Sequence, residues 1–232
     1  MTPRIIISYD DTDNDRDALA LGRLLGVSGA ELSLAYVRHS QLAKQDLEKH
    51  EEQQAEELLE RGAKAIGAPD MRRHVIFHAS TGEGLLELAE REKADVVVFG
   101  SDYRTAPGAV SPGRSAERLL NGGSVAVAIA PADLRSHASV KVARIGVIAE
   151  GDDAVQRSAQ TLAEALGASV AEAGENSADL LVIGSREGTP EGRVELGGDA
   201  EYAIEKASSP VLVVPRGNPV RFDETTAAVS AS

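Results

Sequence analysis

Two segments of the chain, 94–131 and 178–215, align over 38 residues without a gap at a constant offset of 84. Fourteen of these positions are identical, among them Gly100/Gly184, Gly113/Gly197, Ala116/Ala200, Glu117/Glu201 and Pro131/Pro215. A duplication constrains architecture more tightly than any local pattern, because both copies must solve the same packing problem. Each copy runs from an apolar strand through a glycine-rich loop into a helix, the order in which proteins present backbone N–H groups to phosphate.

Around this repeat the chain alternates strand and helix. Residues 4–9 (RIIISY) are apolar and end in an acidic turn, and 17–26 show helical spacing at Leu21, Leu24 and Leu25 before a glycine stop. A second strand is expected at 31–37 and a long charged helix at 41–66, with Leu47, Ala55, Leu58, Leu59, Ala63 and Ile66 on its buried stripe. Strands at 73–79, 95–99 and 124–130 and helices at 85–92 and 115–120 complete the first unit. Strict alternation calls for an open parallel sheet with helices on both faces and right-handed crossovers. With aromatics at 3% and no Trp, the core must be built from Val, Ile, Leu and Ala, the usual filling of such sheets. The expected fold class is α/β, Rossmann-like.

The second unit repeats the first strand at 144–148 and the first helix at 155–167, but reaches its glycine-rich segment much sooner. From the glycine after the first helix, Gly29 or Gly167, to the matched Ala94 or Ala178 there are 65 residues in one unit and 11 in the other, so 54 are missing. A parallel crossover needs a dozen or more residues, so any second strand here is expected to be a stub. The expected organisation is a complete domain at 1–133, a linker at 134–141, a truncated repeat at 142–217 and a disordered tail at 218–232.

Composition removes several function classes. The absence of Cys excludes disulfides, thiolate metal sites and nucleophilic cysteine chemistry. A net charge of −13 without a basic patch argues against nucleic acid and anionic membranes as partners. The start MTPRIIISYDD has no basic leader and no run approaches a membrane span, so a cytoplasmic location is expected.

The first strand ending near Asp10, the Val37 at the end of the second strand and the segments YDDTDNDRDALALGRLLG and VSPGRSAERLL resemble the universal stress protein family, as does a G-x2-G-x9-G-(S/T) loop pattern. The resemblance covers nearly all of 4–131 and implies a five-stranded parallel sheet of order 3-2-1-4-5 binding ATP, with its magnesium, above the first and fourth strands. Carried over by position, Asp10 matches the strand-end aspartate, and Val37 the residue whose backbone holds adenine. Gly100, Tyr103 and Gly113 fall on the three loop glycines, and Arg114 on the Ser/Thr, with Ser115 beside it. Tyr103 in place of glycine would obstruct a phosphate cradle unless it turns away. Arg114 would supply a charge-assisted contact instead. In the second repeat Glu187, Gly198 and Asp199 break the pattern and Glu150 takes the place of Asp10, so no nucleotide is expected there. The resemblance also implies pairing through the last strands of the two repeats, an intrachain pseudo-dimer, with homodimerisation left open.

Alternatives remain at this stage: a ligand-free interaction scaffold with a decayed pocket, or a weak ATPase. Nothing marks a general base or oriented nucleophile, and there is no Walker lysine, G-x-S-x-G or H-E-x-x-H motif. DDTDND lacks the Gly and Glu of a calcium loop, and His74 with His78 lacks further ligands, so no metal site is expected.

Overall fold

The structure, a computed structural model, describes residues 2–39, 45–137, 141–172 and 178–222. Its first unit consists of β1 (Arg4–Ser8), α1 (Asp13–Gly26), β2 (Glu31–Arg38), α2 (Gln45–Ile66), β3 (Arg72–Phe77), α3 (Thr81–Glu92), β4 (Val96–Gly100), α4 (Arg114–Leu120) and β5 (Ala126–Ala130). The second adds β6 (Arg144–Ile148), α5 (Asp153–Leu166), β7 (Ser169–Glu172), β8 (Leu180–Gly184), α6 (Gly198–Lys206) and β9 (Val211–Val214). Among the described residues all nine strands form one sheet, in the order β3-β2-β1-β4-β5-β9-β8-β6-β7. The first five strands thus have the expected 3-2-1-4-5 order. The mirrored β9-β8-β6-β7 is what a shortened copy gives when joined at its last strand.

Every neighbouring pair is parallel except β5 and β9, which run antiparallel with Val127 opposite Val213, Ala128 opposite Leu212 and Ile129 opposite Val211. Strand alternation divides the core between the faces of the sheet. Ile5, Ile7, Val96, Val98, Ala128 and Leu212 pack under α1, α2 and α5, whereas Ile6, Val97, Val127 and Val213 pack under α3, α4 and α6. Burial on both faces explains why these strands read as continuous apolar runs.

The matched strands refine the size of the deletion. The offset is 140 between Ile5 and Ile145 but 84 between Val96 and Leu180, so 56 residues are missing, not 54. Val27, not Gly29, closes α1 where Gly167 closes α5; a left-handed glycine cap marks the second end and not the first. Sequence alone could not register a right-handed Val against a glycine. The second unit does keep a second strand, the four-residue β7 beside β6. β8 lies on the other side of β6, so the short connection crosses a single strand.

Two expected boundaries shift. The linker begins later than 134, because Leu134 is buried and starts a 3-10 turn, Leu134–Ser136, held to α1: the Asp17 carboxylate accepts from the N–H groups of Asp133 and Arg135 and from the Arg135 guanidinium, each at 2.9 Å. Residues 218–222, expected to belong to the tail, are placed. Val220 and Phe222 are buried against α5, with the Val220 N–H donating to Ser158 Oγ at 2.9 Å. Both stretches lack periodicity because single anchor residues, not an amphipathic face, fix them. Residues 223–232 lie outside the described residues.

Candidate functional site

Parallel strands of an open sheet end together, and ligands bind beyond those ends where the chain order reverses. In the first unit the reversal lies between β1 and β4, and the expected residues gather there: Asp10 after β1, Val37 in the last turn of β2, Gly100 closing β4, and Gly113–Ser115 opening α4.

The β1 exit is tightly built. Thr12 caps α1, and a single Asp15 oxygen, Oδ2, accepts from the Asp10 N–H (2.9 Å), the Thr12 N–H (3.1 Å) and the Thr12 hydroxyl (2.6 Å). Asp11 adopts a left-handed backbone (φ 58°), and its carboxylate receives Tyr9 Oη (2.8 Å), Arg61 (3.2 Å) and Arg16 (3.4 Å). Among the described residues Asp10 hydrogen-bonds through its N–H and not through its carboxylate. Burial, then the charge of Asp15, pushes it above the usual carboxylate range, while His39 draws it down. Val37 sits two residues beyond Ala35, whose carbonyl accepts the Tyr9 N–H at 2.9 Å. Strand alternation therefore aims the Val37 backbone the same way, past the end of β1.

The loop after β4 folds back on itself. Ser101 bridges Pro112, the Asp102 N–H donates to the Ser111 carbonyl (2.8 Å), and the Ser101 hydroxyl to the Ala130 carbonyl (2.7 Å). This returns Gly113 to the mouth of the crevice. The two outer glycines serve different ends. A Cβ on Gly100 would lie 2.0 Å from the Asn14 carbonyl oxygen, so that glycine is needed to seat α1 on β4. A Cβ on Gly113 would meet only Asp102 Cα, at 4.0 Å, and its φ is −79°. The fold does not require glycine at 113.

Gly113 also caps α4 without a side chain, leaving the first-turn N–H groups of Arg114, Ser115 and Ala116 to be satisfied from outside the helix. Arg114 is exposed beside them. Tyr103 departs from the group: it is 73% exposed, with the Arg104 guanidinium 4.9 Å from its ring centroid. The side chain has turned away, so it does not obstruct the loop.

Sequence reasoning missed several neighbours. His39 Nε2 lies 3.0 Å from Thr81 Oγ1 and its Nδ1 3.0 Å from the His78 carbonyl, joining the ends of β2 and β3 to the start of α3. Beside it, Tyr36, Arg38, Gln54 and Arg61 line a cavity of about 660 Å³ against α2. Their positions, divided between β2 and the middle of α2, are too scattered for a motif.

The equivalent crevice of the second unit has the same backbone but is filled. The loop bonds recur at the offset of 84: the Arg186 N–H to the Glu195 carbonyl (2.9 Å) and the Ser185 hydroxyl to the Val214 carbonyl (3.0 Å). Here, however, a Cβ on Gly197 would lie 3.0 Å from Glu150 Oε1.

An open, doubly wound sheet with a glycine loop and a helix start without a side-chain cap at its switch point defines a Rossmann-like α/β protein. The particular family follows from comparison: the sequence pattern of the universal stress protein family matches residues 1–131 and 145–215, and the chain belongs to that family. Among solved structures, it is similar to a universal stress protein from Archaeoglobus fulgidus DSM 4304 (18% identity, 92% of this chain and 98% of that one, TM-score 0.69). It is also similar to a functionally unknown protein from Pseudomonas aeruginosa PAO1 (14% identity, 93% of each chain, TM-score 0.56). At these identities the likeness shows the fold. None of the curated proteins matches. No helix among the described residues is long and apolar enough to cross a membrane.

Proposed function

We propose that the first unit binds an adenine nucleotide, ATP with its magnesium, and that the protein acts in stress as a ligand-responsive regulator rather than as an enzyme. The observation that carries this reading is Gly113: packing leaves its Cβ position free, so what its bareness preserves is space for a group approaching the first-turn N–H groups of α4. The outward turn of Tyr103 removes the main objection from the sequence. In this arrangement the Val37 backbone meets adenine, the unpaired Asp10 carboxylate accepts from the ribose hydroxyls, and Arg114 and Ser115 join the N–H groups on phosphate. The β5–β9 junction takes the place of the pairing through last strands that the family resemblance implies, so one chain supplies both halves of the dimer.

The test is the nucleotide content of freshly purified protein, with thermal unfolding in ATP and magnesium. Ligand at about 100 times Kd stabilises the fold by about 2.7 kcal/mol. No released nucleotide and no shift at millimolar ATP would overturn the proposal in favour of a ligand-free scaffold.

A further inference from the structure

The second unit's crevice is filled by two of the chain's own side chains, and both replace smaller or outward-facing residues of the first unit. Glu150 stands where Asp10 stands, at the offset of 140 that relates β1 to β6. Asp10 is exposed, whereas Glu150 is partly buried and its Oε1, wholly buried, has no hydrogen-bond partner among the described residues. That oxygen lies 3.0 Å from where a Gly197 Cβ would sit, at the start of the nine-residue helix α6, which no side chain caps. Arg216 stands where Ala132 stands, at the offset of 84. Its Nη1 donates to the carbonyls of Glu150 (3.2 Å), Ser185 (3.4 Å) and Arg186 (3.4 Å), and its Nη2 to that of Gly151 (3.5 Å). Glu150 also holds a left-handed backbone, φ 48°, a conformation costly for a side chain of this type.

We infer that the second unit is self-liganded: the Glu150 carboxylate occupies the place at the α6 N-terminus that a phosphate would take, and Arg216 fixes the backbone that delivers it. The buried Glu150 oxygen lies at the positive end of the helix, while the Arg216 guanidinium is taken up by backbone carbonyls. The plug excludes anions by charge and by volume, while the loop around it keeps the conformation of its twin. This rests on the reading that the equivalent place in the first unit takes phosphate. The surviving loop is thereby a structural part, closed to ligand whatever the nucleotide concentration.

Asp199, exposed in the first turn of α6, also repels anions, so the test separates the two carboxylates. Inorganic pyrophosphate is titrated into full-length Asp199→Ser, Glu150→Asn/Asp199→Ser and Glu150→Gly/Asp199→Ser, with amide NMR shifts as readout. Asn and Gly both tolerate the left-handed backbone, and two replacements guard against one failing to fold. The expected result is a saturable shift of the Gly197 and Gly198 amides in a double variant, at least tenfold tighter than any in Asp199→Ser alone. Binding at Gly197 in Asp199→Ser with Glu150 intact would overturn the inference, as would no binding at Gly197 in dispersed, folded double variants. Shifts at Gly113 and Ser115 report the first unit independently, so failure of nucleotide binding there is read separately.

Discussion

Ala128 stands opposite Leu212 at the centre of the antiparallel junction, and the two are the same position of the duplicated unit. Val127 lies opposite Val213, the counterpart of Ile129, and Ile129 lies opposite Val211, the counterpart of Val127. That is the register of a two-fold axis passing between Ala128 and Leu212, as an isologous dimer interface requires. The loops obey it too: the Val110 N–H donates to the Ala207 carbonyl (3.2 Å), and the Val194 N–H to the Gly123 carbonyl (2.9 Å), two bonds exchanged by the same axis.

The axis predicts a compensating pair. Both residues are buried in the same core layer, so Leu212→Ala should cost about 2–5 kcal/mol by leaving a cavity. Ala128→Leu should cost about 1–3 kcal/mol by overpacking. The swap Ala128→Leu/Leu212→Ala conserves volume at the axis and is expected to cost clearly less than the sum, as read from urea midpoints in a double-mutant cycle. Strict additivity would refute the contact.

The two outer glycines of the first loop should separate stability from binding. Gly100→Ala forces a methyl against the Asn14 carbonyl and is expected to lower the melting temperature by several degrees. Gly113→Ala meets open space, so its melting temperature should match the parent's while its ATP affinity drops at least tenfold. Equal stability effects at the two positions would contradict the assigned roles.

Asp17 is fully buried and accepts two backbone N–H groups and a guanidinium from the turn after β5. Asp17→Ala leaves those donors unpaired, at about 1–3 kcal/mol each. Chemical denaturation should show a lower midpoint at unchanged slope; a loss under 0.5 kcal/mol, about the scale of an exposed substitution, would mean that water replaces the carboxylate.

Tyr9 gives a pH dependence of known sign. Burial, its hydrogen bond to Asp11 and the Asp11 charge raise its pKa from 10.0 to about 12. A phenol that keeps its proton longer in the folded state contributes stability that is whole below pH 10 and lost as pH rises through about 12. Tyr9→Phe is expected to flatten stability over that window and to remove the step near pH 12 from the ultraviolet titration. An unchanged titration would place that step on another tyrosine.

Most of the fold was legible because it rests on patterns that sequence displays: apolar runs for strands buried on both faces, and a repeat whose offset survives in many of the loop's backbone bonds. What was missed rests on single residues. Leu134 and Phe222 are isolated anchors in polar surroundings, and neither creates a period. The β1 exit reads as a run of acids, yet Asp15 works as a helix cap and Asp11 as the acceptor for Tyr9 and Arg61, roles set by direction rather than spacing. At the site, the strand ends placed Asp10, Val37 and Gly113 together, but only coordinates separated a glycine required by packing at 100 from one free of it at 113. Likewise Tyr103 could be judged an obstacle or a bystander only by where its ring points.

The antiparallel junction also sets a timetable. Ala130 and Val211 are separated by 80 residues, so during synthesis β5 waits for β9 for about 4–16 s at ordinary elongation rates. Through that interval the nascent first unit carries the apolar edge of β5 unpaired, and a neighbouring chain on the same polysome offers an identical one. β9 then covers that edge from within the same chain, and its tether raises its effective concentration there.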